Sequence, residues 1–467
     1  MGNAGVGLKG KTILVLGLGE TGISMARWLS GQGASVRVAD SRLDPPGGRE
    51  LAATASVSLH LGGFPDAAFD GVDLVAVSPG LSPQDPAFAR SLARRPGLPL
   101  VGDVELFARA LRNSEKRARI AAITGTNGKT TVTALTGAMC RAAGMDCEVA
   151  GNISPAVLDA LARRDVGGRA ADLWVLELSS FQLETTHSLE ADAATVLNVT
   201  EDHLDRHGSM DNYAAAKARI FAGQGAQILN RDDARSLAMA IPGRMVTSFG
   251  SDAPRRDVDF GLIREESSIW LAQGSNRLLD TREMKLTGLH NAMNALAALA
   301  LCRALGLQFN NIIQALKEFQ GLPHRVELVR TLGGVRYYDD SKGTNVGATV
   351  AALQGLDASD GRVVLIAGGD GKGQDFSPLA PAVSQYARSV VLIGRDAPLL
   401  VEALASTGLP LMRANGMEDA VRIAAVEARA GDAVLLSPAC ASFDMFRNYA
   451  HRAEVFRAAV EGLGDAA

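Results

Sequence analysis

Lys129 stands in the run Thr124-Gly125-Thr126-Asn127-Gly128-Lys129-Thr130-Thr131, between an apolar β-type run at 120–123 and an alanine-rich helical pattern that reaches Ala143 and stops at Gly144. Strand, glycine-rich turn, Lys-Thr and helix are the parts of a phosphate-binding loop. Glycines let backbone N–H groups turn toward oxyanions, the helix N-terminus adds positive potential, the lysine reaches the β- and γ-phosphates, and the Thr130 hydroxyl suits Mg²⁺. The usual spacing would place a glycine at Ile123, so this is a shortened variant of the loop.

Further residues downstream fit the same chemistry. Glu177 ends an apolar strand and is followed by Ser179-Ser180-Phe181-Gln182; an acid at that end of a neighbouring strand suits Mg²⁺. Another strand runs into Asn198-Val199-Thr200-Glu201-Asp202-His203-Leu204-Asp205-Arg206-His207, which places acids and histidines beside a metal or phosphate. Lys217, one helix further on, reads by position as a solvent-facing charge. Asn291 and Asn294 share a helix face, with Asn291 read as the helix cap.

Two more glycine-rich regions flank this stretch. Gly17-Leu18-Gly19-Glu20-Thr21-Gly22 is a full G-x-G-x-x-G between strand and helix, and Asp40 ends the next strand. Taken alone it is a dinucleotide fingerprint, with the acid on a ribose; the physics says only that a diphosphate-linked nucleotide could dock there. Ser78-Pro79-Gly80 would line the same edge. Toward the C-terminus, three strand ends carry Asp339 to Asn345, Ala367 to Gly373 and Ser437 to Asp444, bringing Lys342, Thr344, Lys372 and Ser442 to one sheet edge. Two lysines and two hydroxyls there suit a small anion bearing carboxylates.

The elements that must position these residues alternate strand and helix, which predicts parallel α/β layers. A chain of 467 residues holds about three domains. We expect residues 1–112 to form a nucleotide-binding Rossmann-like domain and 113–322 a central P-loop ATP-binding domain with a mostly parallel sheet. Residues 323–467 are expected to form a second Rossmann-like domain, carrying the site for a small carboxylate-bearing anion. The charged stretch Arg112 to Arg117 reads as a linker, and 242–285 as irregular with short antiparallel strands. A net charge of −4 gives no electrostatic case for nucleic acid or an anionic membrane surface. No apolar run approaches the ~20 residues of a membrane helix. Four scattered cysteines and the lack of a signal-peptide pattern suggest reduced thiols in the cytoplasm.

The phosphate loop, Glu177, Asn198 to His203, His290 to Asn294, His324-Arg325, Asp340 to Asn345 and Gly368 to Lys372 together resemble the Mur ligases of peptidoglycan synthesis, in that family's order and over nearly the whole chain. The Gly17–Gly22 turn, Ser78-Pro79-Gly80 and Leu436 to Asp444 favour the member that joins glutamate to UDP-N-acetylmuramoyl-L-alanine. The resemblance implies an ATP-dependent amide ligation through an acyl phosphate, with ATP and two Mg²⁺ ions, in a cytoplasmic monomer. It assigns Gly125, Thr126, Asn127, Gly128, Lys129, Thr130, Thr131, Asn294, Arg325 and Asp340 to ATP. Thr130, Glu177, His203 and a carbamylated Lys217 would hold the metals. Gly19, Glu20, Thr21, Ser41, Arg42, Ser78, Gly80 and Asn152 would take the UDP-substrate, and Lys342, Thr344, Lys372, Ser442 and Tyr449 the glutamate. The family often has Phe at the position of Tyr449. D- and L-glutamate both remain open as the added amino acid. The third unit is expected to close over ATP, so an open arrangement would hold Lys342 and Lys372 away from the loop.

Overall fold

The structure, a computed structural model, describes residues 7–464 apart from 55, 115–116, 267, 287 and 357–360. Glu115 and Lys116 of the expected linker lie outside the described residues.

Three sheets follow one another along the chain. The first has β1 (Thr12–Leu16), β2 (Ser35–Asp40), β3 (Val57–Leu61), β4 (Leu74–Val77) and β5 (Leu100–Val101), all parallel, in the order β3-β2-β1-β4-β5. Chain direction across the sheet reverses at β1 and β4, where open α/β sheets bind ligands. The Gly17–Gly22 turn leaves β1 and Ser78–Gly80 leaves β4, so both line that crevice. Gly22 lies in α1 (Glu20–Gly31), where a Cβ would sit 1.8 Å from the Gly17 carbonyl oxygen.

Asp40 departs from its fingerprint reading. It is buried at the end of β2, where one oxygen accepts the Leu18 N–H (2.7 Å) and both accept from the Arg42 guanidinium (2.8 Å each). Burial opposes its charge, yet Arg42 and the Leu18 amide hold its carboxyl down at about 2. Asp40 therefore braces the glycine turn from within.

The second sheet contains β6 (Arg119–Thr124), β7 (Cys147–Gly151), β8 (Leu173–Glu177), β9 (Ala193–Val196), β10 (Ala226–Asn230), β11 (Val246–Phe249), β12 (Phe260–Glu265), β13 (Ser268–Gln273) and β14 (Asn276–Asp280). Their order is β14-β13-β12-β11-β10-β9-β6-β8-β7. Pairing is parallel as far as β12; β12, β13 and β14 form an antiparallel meander, so of the expected short antiparallel strands β11 pairs only in parallel and β12 pairs parallel on one side and antiparallel on the other. The phosphate-loop strand β6 lies between β8, which delivers Glu177, and β9, which leads to Asn198.

First-unit residues dock onto this layer through α2 (Asp103–Arg112), whose Asp103 and Glu105 are buried and accept from Gln182 and from the His187 and Ser188 amides. Helix α3 (Lys129–Ala142) runs from the loop, followed by α4 (Ser180–Glu184), α5 (Leu204–His207), α6 (Met210–Ala218) and α7 (Leu289–Ala304). Val132, Leu135 and Met139 of α3 share a core with Ala295, Leu296 and Leu299 of α7. Gly288 caps α7, so Asn291 sits inside the first turn rather than at the cap.

The third sheet has β15 (Glu327–Leu332), β16 (Val335–Asp339), β17 (Val363–Gly368), β18 (Ala387–Ile393), β19 (Leu411–Arg413) and β20 (Ala433–Leu436), in the order β15-β16-β20-β17-β18-β19. It is parallel apart from the β15–β16 hairpin. Helices α8 (Val346–Gly355) and α9 (Tyr449–Glu461) follow β16 and β20. Fully buried Arg452 of α9 donates to the carbonyls of Ser341 and Cys440, fixing two of the loops at the edge of this sheet. The four cysteines are buried and unpaired, and no helix of the described residues is long and apolar enough to cross a membrane.

The close approach at Gly22 generates a stability test. Gly22→Ala should destabilise the protein by about 2–3 kcal/mol through overpacking against the Gly17 carbonyl. Denaturant unfolding reads this directly, and an unchanged midpoint would show that the turn has room to relax.

Candidate active site

The phosphate loop is shaped by contacts that exclude side chains. Gly125 has φ +155°, and a Cβ there would meet Leu197 at 3.0 Å; Gly128 has φ +84°, and its Cβ would lie 2.5 Å from Asn294 Oδ1. Both are conformations or spaces that only glycine accepts without strain. Asn198 then clamps the loop: its Oδ1 accepts the Asn127 N–H at 2.8 Å and its Nδ2 donates to the Asn127 carbonyl at 3.1 Å. The Thr126 hydroxyl donates to the Thr200 carbonyl and accepts the Thr200 amide, each at 3.1 Å.

Two lysines converge on this loop. Lys129 Nζ donates to the carbonyls of Gly125 (2.8 Å) and Thr126 (2.7 Å), and Lys217 Nζ donates to the same Gly125 carbonyl at 2.8 Å. Lys217 is 1% exposed, with its nitrogen 4.3 Å from the centre of the Tyr213 ring. This corrects the solvent-facing reading of Lys217. The available signal was Tyr213, four residues earlier on the same helical face, which marks that face as the buried one. Burial drives the Lys217 amine well below its usual range, with Lys129 adding to the effect. Burial also lowers Lys129, against the pull of Glu177 and Asp202.

Glu177 is buried and accepts the Asn152 side-chain amide at 2.8 Å through Oε1; its Oε2 is buried with no hydrogen-bond partner among the described residues. A carboxylate oxygen aimed into a polar cleft in this way is suited to a cation. His203 adopts a left-handed backbone (φ 55°) at the start of α5, with Nε2 3.5 Å from Asp202 Oδ2. Burial lowers its imidazole to about 4, so at neutral pH it offers a neutral nitrogen. Asp202 stays below the ordinary carboxylate range: burial opposes its charge, but Lys372, His203 and Lys129 outweigh it.

The third unit meets the loop directly. Arg325 Nη2 donates to Thr130 Oγ1 at 2.8 Å, Asn345 Nδ2 donates to Asn127 Oδ1 at 3.1 Å, and Lys372 Nζ lies 3.3 Å from Asp202 Oδ1. These contacts enclose a cavity of about 540 Å³. It brings together Thr126 to Thr131, Asn152, Glu177, His203, Asn294, Arg325, Asp340, Lys342, Thr344 and Lys372. The arrangement is therefore closed, with both third-unit lysines at the loop. Lys342 Nζ lies 3.7 Å from the centre of the Tyr449 ring, and burial lowers its amine to about 8. Neither Tyr449 nor Ser442 lines this cavity: the Tyr449 ring touches Lys342 and Ser442 is buried, while Lys217 lies beneath the loop. Gly19, Glu20, Thr21, Ser41, Arg42, Ser78 and Gly80 are not in this cavity; they cluster at the C-terminal edge of the first sheet. Asn198, Asp202 and Asn345 emerge as structural members of the site. Each occupies a strand end or helix start in the sequence, but only tertiary pairing shows what it holds.

The chain matches the Mur ligase middle domain over residues 123–302, the Mur ligase MurD-like N-terminal domain over 11–102 and the Mur ligase glutamate ligase domain over 324–440. It belongs to the Mur ligase family. A relative from Nitrosospira multiformis, named UDP-N-acetylmuramoylalanine–D-glutamate ligase, is 57% identical, with 98% of this chain and 96% of that protein covered. A protein of the same name from Aromatoleum aromaticum is also 57% identical, over 98% of each chain. Among solved structures, the Thermotoga maritima UDP-N-acetylmuramate-alanine ligase superposes with a TM-score of 0.62 at 17% identity, covering 97% of this chain and 99% of that one. Mycobacterium tuberculosis folylpolyglutamate synthase gives 0.58 at 18% identity, covering 78% and 96%. These two distant likenesses bear on the fold, which is the three-domain Mur ligase architecture.

Asp340 gives this site a pH signature. It is buried, and burial raises its carboxyl to about 7 despite the Ser437 hydroxyl at 2.6 Å and the charge of Arg325. Because the folded-state value lies above the unfolded one, its contribution is full below about pH 4 and is lost as pH rises through 7. Nucleotide-free Asp340→Asn should therefore lack this decline and exceed wild type by about 2–4 kcal/mol at pH 8. Unfolding curves from pH 4 to 8 check it; parallel profiles for the two proteins would contradict it.

Proposed function

We propose that this Mur ligase adds D-glutamate to UDP-N-acetylmuramoyl-L-alanine with ATP, releasing ADP and phosphate. The observation that carries the reading is the convergence of Lys129, Arg325, Lys342 and Lys372 on one cavity that also holds the unpartnered Glu177 oxygen. Such a cleft suits a triphosphate and two carboxylate-bearing substrates together. The 57% identity to ligases named for D-glutamate supports the D configuration.

Three domains, 1–112, 113–322 and 323–467, would divide the work. In the first, Gly19, Glu20, Thr21, Ser41, Arg42, Ser78 and Gly80 would hold the uridine and its phosphates, with Asn152 of the second contacting the muramoyl group. The loop amides of Gly125 to Thr131, with Lys129, would cradle the phosphates of ATP, and Asn294, Arg325 and Asp340 would help hold the adenine nucleotide.

Chemistry would begin with attack by an alanyl carboxylate oxygen on the γ-phosphorus. The bond to the β-phosphate oxygen breaks, ADP leaves, and an acyl phosphate forms. Lys129 stabilises the charge on the transferred group, and the rigid loop supplies oriented N–H donors. The glutamate amine, as its free base, then attacks the acyl carbon, and the tetrahedral adduct expels phosphate to leave the amide. Lys342, Thr344, Lys372, Ser442 and Tyr449 would orient the glutamate carboxylates.

The Thr130 hydroxyl and the unpartnered Glu177 oxygen suit Mg²⁺ at one position, and His203 with Lys217, once carbamylated, would hold a second. When bound, the ions would neutralise phosphate charge and draw the reacting oxygens together. Burial, by lowering the Lys217 amine, favours the free-base form whose lone pair could add CO₂, losing one proton and becoming a carbamate able to share the second ion. The enzyme would act as a monomer in the cytoplasm.

Phosphate release should require both acceptors: omitting either UDP-N-acetylmuramoyl-L-alanine or D-glutamate should abolish it, while release that ignores both would contradict ligation. Replacing D- by L-glutamate tests the stereochemical assignment. Lys217→Ala should be nearly inactive and partly restored by millimolar short carboxylates, as measured by ADP formation. Full activity without rescue would return Lys217 to a packing role.

A further inference from the structure

An ion-pair cluster outside the cleft links the first unit to the segment that carries His203. Arg206 Nη2 lies 2.6 Å from Glu184 Oε2, at the end of α4, and 3.0 Å from the carbonyl of Leu81 in the first unit. Glu184 Oε1 lies 3.4 Å from His207 Nδ1, and His207 Nε2 lies 3.0 Å from Ser180 Oγ. The pairing is largely shielded, with the Arg206 side chain only 12% exposed.

Contacts continue from Arg206 in both directions. Toward the cleft, its guanidinium lies 4.8 Å from the centre of the Phe181 ring, and that ring meets the His203 imidazole edge-on at 4.8 Å. The backbone amides of Arg206 and His207 both donate to the His203 carbonyl at 3.1 Å. The left-handed His203 backbone is thus held by the same single turn of helix that carries Arg206. Toward the first unit, Leu81 overlies the glycine turn so closely that a Cβ on Gly17 would lie 2.9 Å from Leu81 Cδ1.

We propose that Arg206 is a positioning residue that sets the span between the Gly17–Gly22 turn and the His203 end of the cleft. An acceptor anchored by its diphosphate at the turn must deliver its carboxylate to Lys129, so this span decides whether anchoring and activation can occur together. Arginine suits the task because its planar head can stack on Phe181 while donating to Glu184 and to the Leu81 carbonyl; a lysine ammonium cannot do all three. The proposal rests on the ligase reading given above.

The test is steady-state kinetics with UDP-N-acetylmuramoyl-L-alanine, ATP and D-glutamate. Arg206→Met should lower kcat/KM for the nucleotide acceptor about tenfold or more. Its KM for ATP and for D-glutamate should stay within about twofold, because the loop and the third unit are untouched. Arg206→Lys should fall between Met and wild type, and Glu184→Gln should shift the same parameter in the same direction. Acceptor kcat/KM within about threefold of wild type in Arg206→Met would overturn the proposal. So would a parallel rise of all three KM values with a lowered melting temperature in every variant, the mark of general loosening. A wild-type protein that ligates nothing would overturn the activity reading and the span with it; an active wild type beside an unaltered Arg206→Met would overturn the span alone.

Discussion

The carbonyl of Gly125 accepts from both Lys129 and Lys217, and the rest of the cleft is arranged around that shared acceptor. Two lysine nitrogens on one backbone oxygen, both out of water, cannot both carry charge without a large penalty: burial lowers both amines and Lys129 pushes Lys217 lower still, an arrangement that favours keeping the charge on Lys129. The fold keeps it by fixing the loop rigidly: glycine at 125 and 128, the Asn198 clamp on Asn127, and the Thr126–Thr200 pair. Charge held in place before substrate arrives needs no reorganisation when phosphate charge develops, the condition under which electrostatic stabilisation is strongest. The same burial lowers the Lys217 amine well below the range of a surface lysine and so favours its free-base form.

Closure of the third unit depends on a different kind of contact. Arg325 to Thr130, Asn345 to Asn127 and Lys372 to Asp202 are polar bonds between side chains at the rim of the loop. Each is worth about 1–3 kcal/mol net, and each can be exchanged for water. Such a seam can open to admit nucleotide and close to exclude solvent. By contrast, Asp103 and Glu105 join the first unit to the second through buried carboxylates bonded to Gln182 and to backbone amides. Parting those groups would strand charge in the interface. The expected mobility is therefore concentrated at the third unit.

Much of the site was legible because its chemistry is local. Glycines, Lys129 and Thr130 sit within one turn, and Glu177 and His203 follow strand ends that hydrophobic runs mark out. Lys217 was not legible from spacing, since its burial is created by an element distant in sequence; the family resemblance pointed to it, and only Tyr213 hinted at an inward face. Asp40 satisfied a nucleotide fingerprint, but its carboxylate is consumed by Leu18 and Arg42, a pairing that depends on how β1 and β2 lie side by side. Among strands, β3, β5, β7, β15 and β19 escaped because edge strands are partly exposed or short and lack a continuous apolar run. Approach of Lys342 and Lys372 to the loop is a property of unit arrangement, which local pattern does not encode.

The central claim is that this charge serves to activate a carboxylate rather than to hydrolyse ATP. The most direct measurement uses UDP-N-acetylmuramoyl-L-alanine labelled with ¹⁸O in its alanyl carboxylate, followed by mass analysis of the phosphate released. If the carboxylate attacks the γ-phosphorus, one labelled oxygen leaves with each phosphate as the amide forms. Phosphate free of label, with both heavy oxygens unaccounted for in that product, would contradict the account.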